Sequence, residues 1–396
     1  MTAKTLTSKD FSILDSIRGI ASLYVAIAHC RGVLWMGGNY FQQVHPSSTW
    51  SIGDYLVFGS SMLTRLAVEF VIVFFLLSGF SIAHSLAKSK APVSFYKRRL
   101  VRIYPPYLAA LLWAGIVFLL TKAIFPQWYD GSYTDFSFLR TNQMNDYWDI
   151  DQVWRNLFYM PGDGFITPFW SLTYEVIFYL LAPFLLRRVH LYVIVSAVLF
   201  LLHWLILGAI RSLHINRYIH DFLFVYNIYF AAGVLLYTYY DRVQQYYGML
   251  KKSTHLAAIL FVLGCTFGVN FLMKTESEYS FLAAAILAVL LILFFLRYQI
   301  RIGWLMQVGK FSYTLYITHM ASIFLYLAAY WLITGYRGHY IENYFVWMGA
   351  VPFCLLLAYI QYWLIESRSK NLLNRMRQQK PGETGRTEKD NYAARI

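Results

Sequence analysis

The sequence predicts an all-α polytopic membrane protein with about ten transmembrane helices and both termini in the cytoplasm. Hydrophobic residues make up 58% of the 396-residue chain and charged residues only 14%, whereas a soluble domain carries roughly 25% charged residues. Apolar segments long enough to cross ~30 Å of hydrocarbon recur along the chain. Helices suit these segments because they satisfy all backbone hydrogen bonds internally, as lipid requires.

The apolar segments also set the predicted domain boundaries. We expect one transmembrane domain over residues 1–366, followed by a polar, basic cytoplasmic tail over 367–396. The tail has too few apolar residues to form a core, and we predict that it is partly disordered. The ten predicted spans lie at about 13–33, 66–86, 103–122, 167–186, 189–210, 220–240, 256–273, 280–297, 313–334 and 343–365.

The distribution of basic residues predicts the orientation in the membrane. With a cytoplasmic N-terminus, the cytoplasmic segments hold 24 Lys and Arg residues and the outer segments hold 9. Cytoplasmic loops of membrane proteins carry such an excess. The net charge of +14 therefore reflects basic loops, and no nucleic-acid partner is expected. The cysteines occur singly without metal-ligand spacing, so no metal site is expected.

The first span carries ionisable residues, which are costly inside a membrane and are functional candidates for that reason. Arg18 and His29 are eleven residues apart, close to three helical turns, so they share a face ~16 Å apart along the axis. His29 can accept and return a proton near neutral pH; alternatively, it is a packed histidine bonded to a neighbouring helix. Asp15 and Arg18 are spaced i, i+3. The alternative to a functional role is that they form a pair whose charges neutralise each other.

A basic cluster, Arg98-Arg99-Leu100-Val101-Arg102, stands at the start of the third span. Arg99 and Arg102 share a face if this stretch is helical. Two guanidinium groups together match a phosphate or diphosphate. The alternative is an ordinary basic anchor on the cytoplasmic side, and charge alone favours that alternative.

A carboxylate and a tyrosine follow in the fourth span. Glu175 and Tyr179 are at i and i+4, and they therefore lie on one face of a helix. A buried glutamate at this place either orients or relays protons to a histidine, or bonds a neighbouring helix. The residue pattern leaves both interpretations open.

Five short stretches follow one another along the chain: Leu14–Ala21 with His29, Phe74–Phe80, Arg99–Pro105, Trp170–Tyr179 and Ser312–His319. Together and in this order they resemble the membrane-bound acyltransferase-3 family of bacterial inner-membrane O-acyltransferases, and they cover nearly the whole membrane part. The sequence departs from the family with Ser16, where glycine is frequent, and with Val176, where a second acid is frequent.

The resemblance implies an enzyme that uses acyl-coenzyme A, with acetyl-CoA as the expected donor, on the cytoplasmic side of the bacterial inner membrane. The implied acceptor is a hydroxyl of an extracytoplasmic or lipid-linked carbohydrate. Arg98, Arg99 and Arg102 would bind the coenzyme's phosphates. His29 would act as general base or, alternatively, carry the acyl group, and Arg18 would hold the donor or stabilise negative charge.

Glu175 completes the expected catalytic group, and Asp15, Tyr179 and His319 are expected in supporting roles. A polytopic transporter or flippase of an acylated glycan or lipid is the competing function. Such a protein would also have about ten spans with buried charges. Transporters are often built from two repeated halves with broken helices at the bilayer midplane, and no internal repeat is found in this sequence.

Overall fold

The computed structural model describes residues 6–35, 37–88, 92–130, 149–160, 166–205, 216–273, 277–336, 338 and 341–378. Every regular element in these residues is helical, as the sequence predicts. The α-helices are α1 Ser8–Leu34, α2 Gly38–Val44, α3 Ile52–Met62, α4 Ala67–Ala87, α5 Pro92–Ile124, α6 Ile150–Leu157, α7 Trp170–Leu185, α8 Val189–Leu205, α9 Arg217–Asp221, α10 Asn227–Thr238, α11 Tyr240–Tyr247, α12 Lys252–Met273, α13 Glu278–Tyr298, α14 Gly303–Lys310, α15 Ser312–Thr334, α16 Val346–Gln361 and α17 Ser367–Gln378.

Within these ranges, nine helical stretches are long and apolar enough to cross a membrane. One of them, Thr167–Leu205, has 39 residues and would measure ~58 Å as a single straight helix. That length is about twice the hydrocarbon thickness of a bilayer. It contains α7 and α8, which are joined by a short 3₁₀ turn over Leu186–Arg188.

Contacts with α9 establish that the chain reverses between α7 and α8. Tyr174, near the start of α7, donates a hydrogen bond to Asp221 at 3.2 Å. His203, near the end of α8, packs against His220 with 5.6 Å between ring centroids. Because the start of α7 and the end of α8 meet the same short helix, the two are antiparallel. The described residues therefore hold ten crossings, which confirms the number predicted from hydropathy.

The two ends of the described chain lie at one end of the bundle. Lys370 in α17 donates a hydrogen bond to the carbonyl of Lys310 at 2.7 Å. Lys310 ends α14, and α14 packs against the first half of α1 through Gly309 and Asp15. We call this the proximal end, where α1 begins and α17 lies, and the opposite end, where α1 ends, the distal end.

Several helices differ from the predicted spans. The helix α5 begins at Pro92, eleven residues before the predicted span, so the basic cluster is helical. Short helices that hydropathy does not predict lie outside the spans, among them α14. The helix α17 covers the first twelve residues of the predicted tail, and residues 379–396 lie outside the described residues.

Glycines allow two pairs of helices to pack backbone against backbone. A Cβ atom on Gly79 of α4 would lie 2.1 Å from the carbonyl oxygen of Phe230, and one on Gly233 of α10 would lie 2.1 Å from that of Leu76. A Cβ atom on Gly309 of α14 would lie 1.9 Å from the carbonyl oxygen of Asp15. Small residues at such crossings let membrane helices approach closely. These contacts fix α1, α4 and α14 around the site described below.

Replacing Gly79 by alanine is expected to destabilise the bundle, because the added methyl group overlaps a backbone carbonyl that cannot move independently of α10. We expect the free energy of unfolding to fall by about 3 kcal/mol, the upper end of the usual cost of overpacking. Thermal unfolding in detergent measures this loss. Gly264→Ala in α12 is the matched control, since a Cβ atom there has no neighbour within 4 Å. The control should be neutral or slightly more stable; equal destabilisation by both substitutions would contradict the packing argument.

Candidate active site

A cavity of about 570 Å³ lies in the proximal half of the bundle, within the size range of small-molecule sites. Its wall is built by α1, α4, α5, α7, α14, α15 and α17. Six cationic side chains and two carboxylates line it, so its charge is strongly positive. The cations are Arg18, Arg98, Arg99, Arg102, Lys310 and Lys370, and the carboxylates are Asp15 and Glu175.

Arg18 is held in this wall by two hydrogen bonds. One guanidinium nitrogen bonds the Asp15 carboxylate at 2.7 Å, and another donates to Ser81 of α4 at 2.8 Å. The neutralised i, i+3 pair is therefore present, and Arg18 faces the cavity as part of it. His29 lies ~16 Å further along α1, so the structure groups Arg18 with the cavity and does not bring it to His29.

Arg99 lies against aromatic rings on the inner side of α5. Its guanidinium carbon is 5.6 Å from the ring centroid of Phe95 and 5.3 Å from that of Tyr179. An arginine stacked on an aromatic ring gains cation–π attraction, and its N–H donors stay available for hydrogen bonds. Arg98 donates to Ser94 one turn away at 3.0 Å, and Arg102 lines the exposed part of the cavity. All three predicted arginines therefore meet in one wall.

Glu175 forms a hydrogen-bonded group with Ser78 and Tyr179. It accepts a bond from Ser78 at 3.0 Å and a short one from the Tyr179 hydroxyl, which confirms that Glu175 and Tyr179 share a face of α7. The hydroxyl oxygens of Ser78 and Tyr179 lie 3.0 Å apart. Among the described residues, Glu175 has no hydrogen bond to a histidine. It belongs to the cavity wall beside Arg99.

The distal part of the cavity ends at an aromatic wall. Tyr316 of α15 contacts Phe74 of α4 with 6.0 Å between ring centroids, and both line the cavity. The Tyr316 hydroxyl is bonded to Ser171 at 2.7 Å and to the carbonyl of Pro168 at 2.9 Å. The ring of His319, one turn further along α15, lies 5.9 Å from that of Tyr316. Tyr316 therefore separates the cavity from His319.

His319 and His29 form a pair between α15 and α1. The Nε2 atom of His319 is 3.1 Å from the Nδ1 atom of His29, and their ring centroids are 5.0 Å apart. His319 is 1% exposed, whereas His29 is partly exposed. The sequence left open whether His29 is only a packed histidine bonded to a neighbouring helix. The bond to a neighbouring helix is present, and it leaves one ring nitrogen of His29 available.

The backbone contacts of the two rings determine where their protons lie. Nδ1 of His29 is 3.0 Å from the carbonyl oxygen of Val25, and Nδ1 of His319 is 3.1 Å from that of Leu315. A carbonyl oxygen can only accept, so both Nδ1 atoms carry hydrogen. In the neutral pair, the single Nδ1–H of His29 is then shared between two acceptors, the Val25 carbonyl oxygen and Nε2 of His319. The lone pair of His29 is left on Nε2, where it can take a proton or attack an electrophile.

The predicted site residues thus fall into two groups. The cavity group contains the arginines, Asp15, Glu175 and Tyr179; the histidine pair contains His29 and His319, which are 290 residues apart in the chain. Sequence reasoning missed Ser78, Ser81, Ser171, Tyr316 and Lys370, although Ser78, Ser171 and Tyr316 occur in the five stretches quoted above. Within the described ranges, no group of three or more His, Cys, Asp or Glu side chains is arranged to hold a metal ion.

The helical bundle, with its cationic cavity and the pair of His29 and His319, defines a multi-pass membrane protein with a charged internal cavity. The chain belongs to the acyltransferase-3 family: the family described as an acyltransferase domain matches residues 11–365. The resemblance found from the five stretches is thereby confirmed.

One curated relative is similar over part of the chain. It is acyltransferase MdmB of Streptomyces mycarofaciens, which is 32% identical over 174 residues. The matched segment covers 42% of this chain and 40% of that relative, so this chain spans about two fifths of its length. No solved structure matches the chain.

Proposed function

We propose that this acyltransferase moves an acyl group, most simply acetyl, from cytoplasmic acyl-coenzyme A to a hydroxyl of an extracytoplasmic or lipid-linked carbohydrate. The observation that carries the proposal is the arrangement of the cavity and the histidine pair. A strongly positive cavity opens at the proximal end, and its aromatic distal wall adjoins the histidine pair. A donor with phosphates at one end and a reactive thioester at the other fits that order.

The donor's phosphates are assigned to Arg98, Arg99 and Arg102, with Arg18 on the opposite wall. Guanidinium groups bind phosphate oxygens through paired hydrogen bonds, and the anionic ligand offsets the repulsion among the arginines. The narrow acyl-carrying arm then extends toward Ser171 and Tyr316. The acyl group reaches the histidine pair once the Tyr316 ring, which separates the cavity from His319, turns aside.

His29 is assigned the role of general base. Its Nε2 atom takes the proton of the acceptor hydroxyl while the hydroxyl oxygen attacks the thioester carbonyl carbon. The C–S bond breaks, an ester forms, and the coenzyme A thiolate receives the proton. His319 keeps Nδ1 of His29 protonated and so keeps the lone pair on Nε2. In the alternative route, Nε2 itself attacks the thioester and an acyl-histidine passes the group to the acceptor.

Glu175, Tyr179 and Asp15 are assigned to the donor side. Glu175 and Tyr179 support Arg99 beside the acyl-carrying arm, and Asp15 orients Arg18. The donor enters from the cytoplasm if the proximal end faces it, and the excess of basic residues in the segments at that end favours this orientation. We assign the protein to the bacterial inner membrane, where a cytoplasmic donor and an acceptor on the other side would both be in reach.

Reporter fusions test the orientation. Fusions after Arg188 and Lys251 are expected to report the cytoplasm, because both positions lie in turns at the proximal end. A fusion near Gly338, between α15 and α16, should report the opposite side. A cytoplasmic signal near Gly338 would invert the donor and acceptor sides and contradict the proposed route.

Label transfer tests the reaction itself. Inside-out membrane vesicles that contain the protein are supplied with radiolabelled acetyl-CoA, and label is followed into carbohydrate and lipid fractions. The parent protein is expected to release coenzyme A and label a glycan, while vesicles without it do neither. Translocation of an acylated glycan without any transfer of label from acetyl-CoA would favour the transporter instead.

Replacing both Arg99 and Arg102 by lysine separates phosphate binding from anchoring. The double variant keeps all positive charge, so insertion and topology should not change. It removes the planar guanidinium groups, and lysine supplies only point charges. The KM for acyl-coenzyme A is expected to rise about tenfold or more, since hydrogen bonds to charged groups contribute about 1.5–3 kcal/mol. The acceptor KM should stay near the parent value; unchanged donor kinetics would favour the anchor interpretation.

A further inference from the structure

The positive charge of the cavity does not come from the arginine cluster alone. Lys370 also lines it, although it lies in the segment that the sequence assigns to the tail. It is carried by α17, which follows a π-helical turn over Tyr362–Glu366. Turns of this kind occur frequently at functional sites. The cavity wall therefore includes a cation from the far end of the chain.

A buried carboxylate holds Lys370 in place. Glu366 is 2% exposed, and one of its oxygens lies 2.6 Å from Nζ of Lys370. Its other oxygen accepts a hydrogen bond from Thr314 of α15 at 2.5 Å. A buried carboxylate is tolerated when it is paired and hydrogen-bonded in this way. Glu366 thus ties α17 to α15 and sets the position of the lysine.

Lys370 retains one donor for a ligand. An ammonium group has three N–H donors; one is used by Glu366, and a second bonds the carbonyl oxygen of Lys310 at 2.7 Å. The side chain is 28% exposed and lines the cavity. Its charged neighbours there include Arg102 and Asp15. The ammonium also lies 4.9 Å from the ring centroid of Tyr362, a contact that leaves the third N–H able to bond an anion in the same space as the arginines.

We propose that Lys370, positioned by Glu366, is a further phosphate ligand for the donor, so that the C-terminal helix completes the donor site. The inference rests on the proposed function and extends it to a residue outside the arginine cluster. A nucleotide thioester carries several phosphate charges, and the arginines of α5 and Arg18 of α1 supply only part of the cationic wall that faces them. Lys370 adds a cation from α17, which packs beside α5 and brings the lysine near Arg102.

The test measures the KM of two acyl donors in two variants of the protein. Acetyl-coenzyme A carries the nucleotide phosphates, whereas acetyl-pantetheine carries the same thioester without them. Lys370→Gln is expected to raise the KM for acetyl-coenzyme A about tenfold to a hundredfold and to leave that for acetyl-pantetheine unchanged. Arg368→Gln is the matched control, because Arg368 lies in the same helix, is exposed and stacks on Trp363 outside the cavity.

The role of Glu366 is tested in the same assay. Glu366→Gln keeps a hydrogen-bond acceptor for Thr314 but removes the charge that holds Lys370. It should raise the KM for acetyl-coenzyme A by less than Lys370→Gln, again without an effect on acetyl-pantetheine. Lys370→Arg keeps the charge and should restore most of the donor affinity.

Four outcomes would overturn the inference. Equal losses with both donors would make Lys370 merely structural, and equal losses in Arg368→Gln would indicate a general charge effect. If Lys370→Gln does not fold, coenzyme A should protect Lys370 of the parent from amine acetylation, and absence of protection would also reject the inference. A parent protein that binds no acetyl-coenzyme A would instead reject the proposed function, and the inference with it.

Discussion

Replacing His29 by glutamine is expected to lower kcat by about 10²–10⁴-fold, the usual contribution of a general base. The available lone pair of the histidine pair lies on Nε2 of His29, and the glutamine amide cannot accept a proton near neutral pH. Glutamine can still donate toward His319, so the α1–α15 contact should persist. Steady-state transfer of label from acetyl-CoA measures the effect, and the donor KM should change little because the arginine wall is intact.

The control for this substitution is a histidine that forms a hydrogen bond elsewhere. His190, bonded to Tyr239 at 2.7 Å, lies outside the cavity, and His190→Gln should retain parent activity. Thermal unfolding should show that both variants are folded. A folded His29→Gln protein with a loss of only twofold would remove His29 from the chemistry and leave it as a packing residue. Trapping of an acyl group on His29 in the parent would select the acyl-histidine route.

Replacing His319 by phenylalanine is expected to lower kcat by about a hundredfold without removing the base itself. Its Nε2 atom accepts from Nδ1–H of His29 at 3.1 Å, and this bond orients the His29 ring and favours the tautomer that the Val25 carbonyl also selects. Loss of the partner that orients a histidine lowers metal affinity or activity about 10–100-fold at metal-bound histidines. In a catalytic triad, it lowers kcat about 10⁴-fold. The effect should fall on kcat, since His319 lies behind Tyr316 and does not line the donor cavity.

A conservative variant distinguishes this orienting role from packing. Glutamine at position 319 can offer its carbonyl oxygen to Nδ1–H of His29, so His319→Gln should recover a large part of the activity that phenylalanine loses. The pH dependence of kcat should also shift in His319→Phe, because His29 has lost one of the two acceptors of its Nδ1–H. Equal activity in the two variants, with an unchanged pH profile, would mean that His319 only fills space.

Local patterns in the sequence predicted much of the fold and part of the site. Ten spans follow from hydropathy, because a helix in lipid must be apolar over a length set by the bilayer. The shared face of Glu175 and Tyr179 follows from helical spacing, and so does the Asp15–Arg18 pair. Boundaries were less accurate where helices continue past the apolar segment, as α5 does toward Pro92, because polar residues outside the hydrocarbon can still be helical.

Contacts between distant segments were not predictable in this way. His319 was expected only in a supporting role, since nothing local indicates that α15 packs against α1 at His29. Lys370 has the composition of a basic tail, and its place in the cavity depends on the buried pair with Glu366. The close approach of α14 to α1 depends on Gly309, which a linear pattern cannot distinguish from a glycine in open space, such as Gly264.

Residue pattern alone predicts the class of the protein: a ten-span helical bundle with basic loops, an arginine pair on one helical face and a histidine in the first span. Hydropathy and spacing reflect contacts within one or two helical turns, so both can be interpreted without a structure. The packing of the helices then places the arginines in the wall of a cavity, pairs His29 with His319 and brings in a cation from the C-terminal helix. These features depend on the shapes of surfaces from segments up to 290 residues apart, and a local pattern carries no information about them.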